Sequence, residues 1–474
     1  MSRTITIAPV TRIEGHAKVT IRLGDAGEVS RARLHVQEFR GFEGFCVGRP
    51  YWEMPAIAAR ICGICPTSHA LAASLAGDQI LALTPPLTAQ KLRSLLSLAQ
   101  LILSHSLSFF HLSAPDIILG LDFDPAERNL VGLARYVPEA ISKGIRLRQI
   151  GQEIVNQIAG GELHPEFIVP GGMREPLSNK GRDYVARLLP EAMQLVRYAL
   201  DLWHEHQGRF QMEMGDGGDF ESLFLGLVSE AGALDYTSGM LHFVDGNGAT
   251  VQELSPVNYG EVIYETVTGD SYMKPTSFGS ANLSGQPSIY RVGPLARLNV
   301  APFPDAPLAL KERQLLFAGQ ASLSASLCYH PARLIEMLFA VEKIGQLIED
   351  ADICNVNVLV RGEVNNREGV GITEAPRGTL IHHYRVDQYG LLTEVCLIVA
   401  TAHNSAAMDR TITDIASKHI GQGKQLSEGV LNRVEHGIRI YDPCLSCATH
   451  AAGRSWLSVE LQSADGKVLD RAWR

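Results

Sequence analysis

Four of the eight cysteines in this chain are grouped in two C-x-x-C pairs, Cys62-Gly63-Ile64-Cys65 and Cys444-Leu445-Ser446-Cys447, near opposite ends of the sequence. A two-residue gap lets both thiolates of a pair face one centre, so two pairs can build a soft four-sulfur site. Each pair is followed by a histidine, His69 and His450, able to serve as a ligand or as a hydrogen-bond donor to a ligating sulfur. Spacing alone leaves four chemistries open. A structural zinc site commonly uses such pairs, although zinc ribbons close over tens of residues rather than over most of a chain. A thioredoxin-like dithiol needs a βαβ context and leaves the second pair without a role. Two inert buried pairs are a third alternative, and a redox-active centre of a thiophilic metal is the fourth.

The elements that bring the pairs together must come from a chain of 474 residues with 42 Lys+Arg, 51 Asp+Glu, a net charge of −9 and 46% hydrophobic residues. This is a globular composition, and it excludes disorder, collagen and coiled coil. The mildly acidic balance gives no electrostatic reason to bind nucleic acid or an anionic membrane. Ala17–Leu23 and Val29–Val36 alternate around the turn residues Gly24-Asp25-Ala26-Gly27 and predict a hairpin. A helix is expected after Pro85-Pro86, with Thr88 as its cap and Leu92, Leu95, Leu96, Ala99, Ile102 and Leu103 facing the core. Further helices are expected over 183–214 and near 330–348, loops with short strands over 215–305, strands over 379–400, and a last hairpin from 456–461 and 467–472. The apolar stretch 92–112 is interrupted by Ser94, Ser97, Gln100, Ser104, His105 and Ser108 and reads as a buried helix, with no membrane span. The N-terminus, MSRTITIAPV, lacks a secretory signal, which predicts a cytoplasmic protein. The fold class is α+β, mainly α: one large unit with a central bundle of long helices and peripheral antiparallel β-hairpins.

The residues around the cysteines separate the alternatives. Thr11-Arg12-Ile13-Glu14-Gly15-His16, Arg40-Gly41-Phe42-Glu43, Arg60-Ile61-Cys62-Gly63-Ile64-Cys65-Pro66-Thr67-Ser68-His69, Glu374-Ala375-Pro376-Arg377-Gly378, Thr401-Ala402-His403-Asn404 and Asp442-Pro443-Cys444-Leu445-Ser446-Cys447-Ala448-Thr449-His450 occur in this order. Together they resemble the large subunit of nickel–iron hydrogenases over residues 4–450, and most of all the soluble, bidirectional, NAD(P)-linked branch.

The resemblance implies nickel held by Cys62, Cys65, Cys444 and Cys447, with Cys65 and Cys447 bridging to an iron that carries carbonyl and cyanide ligands. It implies heterolytic cleavage of H2, with Cys444 as a base and Glu14 carrying the proton towards solvent. A carboxylate in a dry site can have its pKa raised into the working range; the competing role for Glu14 is an ion pair with Arg12 or another cation. Arg377 would hang over the open metal positions with Asp116 and Asp442 beside it, polarising H2 or acting as the base. Thr401 would donate to a cyanide nitrogen and His69 to a bridging sulfur. Glu43, His450 and the backbone carbonyl near Leu397 match a magnesium site of hard ligands. By contrast, His204-Glu205-His206 reads as a solvated helix face, His382-His383 as a poor chelate in a strand, and Cys46, Cys328, Cys354 and Cys396 as buried fillers.

Nothing in the chain reads as an iron–sulfur, flavin or nicotinamide site, so the electrons from H2 require partners. These are diaphorase subunits carrying flavin and NAD(P), reached through an iron–sulfur small subunit. Nickel-insertion proteins and an endopeptidase are implied for maturation. Residues 451–474 match a C-terminal maturation peptide removed after His450, leaving 1–450 as the functional unit. Two other readings share the site or the fold: a regulatory H2 sensor, and a zinc-stabilised scaffold related to the quinone-site subunit of complex I.

Overall fold

Four long helices carry the apolar runs and pack on one another as the core: Leu87–Ser106, Pro138–Ala159, Asn179–Met214 and Tyr329–Glu349. The computed structural model describes residues 3–159, 167–215, 217–279, 289–421, 426–449, 458–462 and 468–473. All six residues predicted to face inward from the first helix are buried. It begins directly after Pro86, as expected, but Thr88 is not its cap: the Thr88 hydroxyl donates to the Asp352 carbonyl. The Asn179–Met214 helix begins before the expected Asp183, because Ser178 accepts the N–H of Gly181 and satisfies the first turn. The 87–113 stretch is apolar enough to cross a membrane, yet 83% of its most apolar window is buried inside the molecule. It continues into wider π-type turns, Leu107–Ser113 and Pro115–Leu119, which carry Asp116.

Small antiparallel sheets flank the bundle. Arg3–Ile7, Ala17–Leu23 and Val29–Val36 pair in sequence order, with Ala17, Val19 and Ile21 inward. Glu368–Ala375, Gly378–Val386 and Leu392–Ile398 form a second three-stranded sheet. Its first strand lies directly on the helix Pro66–Leu81: a Cβ on Gly371 would stand 1.9 Å from the Ala72 carbonyl oxygen. Only glycine permits this approach. The 215–305 region, expected to be loops with short strands, holds a four-stranded mixed sheet of Tyr290–Arg291, Leu223–Val228, Met240–Val244 and Thr250–Leu254. The last hairpin pairs Ser458–Gln462 with Val468–Trp473, whose bounds lie one or two residues from those expected.

Candidate metal centre

The first cysteine pair is placed by a helix start. Cys65 immediately precedes the helix Pro66–Leu81, with Pro66 in the first turn where its missing N–H costs nothing. The Cys62 sulfur accepts the N–H groups of Ile64 and Cys65 at 3.3 and 3.4 Å. The second pair opens the short helix Leu445–Ala448, and the Cys444 N–H is held by the Thr401 hydroxyl oxygen at 3.0 Å. The sulfurs of Cys62 and Cys444 are 3.2 Å apart, those of Cys444 and Cys447 2.9 Å, and those of Cys65 and Cys447 3.6 Å. All four lie within 4.8 Å of one another, and none of the four residues is more than 5% exposed.

Hydrogen bonds from Cys444, Cys447 and Cys62 hold Cys65 well below the ordinary thiol range, while burial holds Cys444 and Cys447 well above it. Burial therefore keeps protons on the cluster, and a thiophilic cation would displace them. A cavity of about 20 Å³ opens beside the sulfurs, lined by Pro376, Leu380, Val399 and Ala400 with three polar side chains, Arg377, Thr401 and His69. It is small, with room for about one water-sized group beside the sulfurs.

Arg377 occupies the tip of a hairpin. Ala375 pairs with Gly378, so Pro376 and Arg377 are the two loop residues. The guanidinium donates through Nε to the Asp442 carbonyl at 2.6 Å, and its Nη2 lies 3.0 Å from Asp442 Oδ2. Burial opposes the charge on Arg377, but Asp442 and the sulfurs of Cys444, Cys65 and Cys62 outweigh it and raise the pKa well above the arginine range. Asp442 itself is pushed up by burial.

Asp116 is fully buried among cations and amides. It meets Arg12 at 2.5 Å, Arg439 at 2.8 Å, His436 at 2.7 Å and Asn432 at 3.1 Å, and none of its described hydrogen bonds goes to Arg377. Burial raises its pKa, but Arg439, Arg12 and His436 outweigh that and hold it well below the carboxylate range. Asp116 thus anchors Arg12. Arg12, occupied there, does not pair with Glu14. Glu14 instead accepts the Ser446 N–H at 3.0 Å and the Ser446 hydroxyl, and its carbonyl accepts the Leu445 N–H at 3.2 Å. The carboxylate is partly exposed and lies against the cysteine loop.

His69 Nε2 lies 3.3 Å from the Cys447 sulfur, as expected, and a second buried histidine stands behind it. His69 Nδ1 contacts His382 Nε2 at 3.1 Å, and His382 Nδ1 contacts the Tyr384 hydroxyl at 2.6 Å. His382 and His383 do point apart, as strand alternation requires, but His382 belongs to the site. The run His382-His383-Tyr384 gives no sign of this in the sequence, and Ser446 likewise reads there only as a spacer. Glu43 Oε1 accepts the Leu397 N–H at 2.9 Å, so these two expected ligand residues are adjacent, joined through the N–H rather than the carbonyl. Lys274 stands 3.9 Å from Glu43 and 2.8 Å from Glu265. His450 lies outside the described residues.

Comparison with known proteins gives the family and the fold. The nickel-dependent hydrogenase family model matches residues 40–165 and 284–450, and a HoxL-like model matches residues 4–39. The chain is 37% identical to the NAD-reducing hydrogenase HoxS subunit beta of Cupriavidus necator, over 100% of both chains. It is 39% identical to a vhu F420-non-reducing hydrogenase chain of Methanococcus voltae, over 87% of this chain and 98% of that one. A crystal structure of an NAD+-reducing [NiFe]-hydrogenase in the H2-reduced state superposes with a TM-score of 0.88 at 42% identity, covering 94% of this chain and 99% of that one.

Proposed function

The chain belongs to the nickel-dependent hydrogenases as a catalytic large subunit, and from that premise we propose that it cleaves and forms H2 reversibly, with electrons passing through an iron–sulfur small subunit to a flavin-carrying diaphorase and NAD(P). The observation that carries this reading is the convergence of four buried sulfurs from both ends of the chain under a fixed guanidinium. When bound, nickel on the four sulfurs and an iron sharing Cys65 and Cys447, with carbonyl and cyanide ligands, would supply the electrophile and the electron capacity for heterolytic cleavage.

The protein's own groups then divide the work. Arg377, its charge stabilised by Asp442, keeps its proton and holds a positive charge over the cavity. Cys444 takes the proton released from H2, and Glu14 carries it outward from its partly exposed place against the same loop. The Thr401 oxygen accepts from Cys444, which leaves its O–H to donate into the cavity towards a cyanide. His69 donates to the Cys447 sulfur and lowers its charge density. Glu43, Leu397 and His450 are the residues for a magnesium ion, and the Leu397 N–H on Glu43 Oε1 brings the first two together.

The N–H groups of Arg40 and Gly41 tie the chain down at the Thr449 carbonyl, just before the proposed cleavage point after His450. Removal of residues 451–474 by an endopeptidase, once insertion proteins have supplied nickel, would release the chain there. The cytoplasm is the matching compartment. The solved NAD+-reducing [NiFe]-hydrogenase, at 42% identity and a TM-score of 0.88, supports NAD(P) as the acceptor.

Infrared spectra of the complex co-expressed with its partners test the centre, because protein hardly absorbs where metal-bound carbonyl and cyanide stretch. One carbonyl and two cyanide bands, with H2-dependent NAD(P) reduction, are expected. Bands without turnover would indicate a sensor. A blank spectrum from protein ending at His450, with zinc bound, would overturn the reading in favour of a zinc scaffold.

A further inference from the structure

Behind the hairpin that carries Arg377 lies a second arginine, Arg297, on the helix Pro294–Val300. It is 0% exposed, and each of its five N–H donors has a partner. Nε donates to Glu336 Oε1 at 2.6 Å and Nη2 to Glu336 Oε2 at 2.7 Å. Nη1 donates to Glu374 Oε2 at 2.9 Å. The two remaining donors grip backbone: Nη1 the Ala375 carbonyl at 2.8 Å and Nη2 the Pro376 carbonyl at 3.0 Å. Those two carbonyls lie on either side of Pro376, immediately before Arg377.

The carboxylates that orient Arg297 are themselves tied down. Glu336 contacts His105 at 2.8 Å and the Tyr236 hydroxyl at 3.3 Å, and Glu374 accepts from the Thr379 hydroxyl at 2.8 Å. Glu336 and Glu374 are both 0% exposed. A buried ion cluster of this kind adds little stability over apolar residues of similar volume. What a planar guanidinium adds is geometry, because its rigid fork fixes several acceptors relative to one another.

We infer that Arg297, held by Glu336 and Glu374, is the positioning residue for Arg377. By fixing both carbonyls of the Ala375–Pro376 segment it sets where the hairpin tip stands, and so where the Arg377 guanidinium meets Asp442 beside the cavity. Arg297 touches neither the cavity nor the sulfurs and acts only through Arg377. The inference rests on the reading of Arg377 as the fixed cation over the metal centre.

The test uses the holoenzyme complex with Arg297→Lys, Arg377→Lys, the double variant, and Arg93→Lys as a control. Arg93 is an equally buried fork, on Asp78 and the carbonyls of Val169 and Gly172, and is remote from Arg377 in its contacts. Lysine in place of Arg297 keeps the charge but cannot hold four acceptor groups at once. With nickel content unchanged, kcat for H2 oxidation should fall by about ten- to a hundredfold, as a displaced catalytic group does. KM should hardly move, and the carbonyl band should shift. Adding Arg297→Lys to Arg377→Lys should cost less than about threefold more, because one effect runs through the other. Arg93→Lys should lower thermal stability without moving kcat or the band. Hydrogen exchange over residues 374–380 should quicken in Arg297→Lys whatever the role of Arg377, so it reports on the grip alone. Should Arg297→Lys not take up nickel, Glu374→Gln, which spares both carbonyl bonds, should show a smaller kcat loss with the same non-additivity. Wild-type kcat with an unshifted band, or additive losses in the double variant, would overturn the inference. Unchanged activity in Arg377→Lys alongside faster exchange in Arg297→Lys would overturn the reading of Arg377 and leave the grip standing.

Discussion

The two cysteine pairs reach the same centre from unlike supports. Cys62 and Cys65 stand at the head of a 16-residue helix, 14 of whose residues are buried, pressed on a sheet close enough to require Gly371. Cys444 and Cys447 stand on a four-residue helix, held by the Thr401 hydroxyl, by Glu14 and by the turn at Asp442. The first pair is thus made with the core, at the cost of close backbone packing. The second is buried in the same core but is held through side-chain bonds from distant segments of the chain.

Breaking the ligand set itself should have the largest effect. Cys444→Ser should reduce nickel content and lower H2 oxidation on the order of a thousandfold or more, beyond the ten- to hundredfold typical of groups standing behind ligands. Elemental analysis beside H2-uptake assays checks both. Because the second pair is held through those side-chain bonds, the thermal midpoint of the unloaded chain should change little, and a large drop there would remove the distinction between the two supports.

Gly371→Ala attacks the first support. Its Cβ cannot coexist with the Ala72 carbonyl, so the sheet must lift from the helix that Cys65 begins. A loss of about 3 kcal/mol or more is expected, at the upper end for overpacked cores, measured by urea unfolding. Thr401→Val attacks the second support by leaving the buried Cys444 N–H without a partner, at about 1–2 kcal/mol. Its mark should be local: faster hydrogen exchange over 442–449 with unchanged protection over 66–81. Equal quickening in both segments would mean that the two supports are one cooperative unit.

The same contrast governs what can be read from the residues alone. The helices at 87–106 and 329–349 and the hairpin of 17–23 with 29–36 stand where apolar period and turn residues put them. The strand Glu368–Ala375 is hidden, because Gly369 and Gly371, which weaken any strand pattern, serve contact with a helix far away in the chain rather than local propensity. At the site, the motifs carry the four cysteines, Glu14, Arg377 and Asp442 to their places. They carry Asp116 too, but not the identity of its partner: several buried arginines are available, and Arg12 and Arg439 take it. Ser446, His382 and Arg297 are illegible for one reason. Their roles consist of bonds between distant segments, and no local pattern marks a residue whose partner only the fold supplies.

The smallest predicted effect sharpens the contrast through pH. His403, two residues past Thr401, is 0% exposed, and burial pushes its pKa down to about 3. His436, on the helix leading to Cys444, is also lowered by burial, against the pull of Asp116. In the unfolded chain such a histidine binds a proton below about pH 6.5, while in the folded chain His403 does not until about pH 3. Between those values the unfolded state holds the extra proton, so stability falls as pH falls. From pH 7 to pH 6 the loss from His403 is about 0.7 kcal/mol, rising towards about 1.4 kcal/mol per unit below that. His403→Gln should flatten the urea-unfolding profile by that amount between pH 7 and pH 5, whatever it does to stability at pH 7. If the profile keeps its slope, His403 is not held neutral, and the second support carries no acid-sensitive brace at this position.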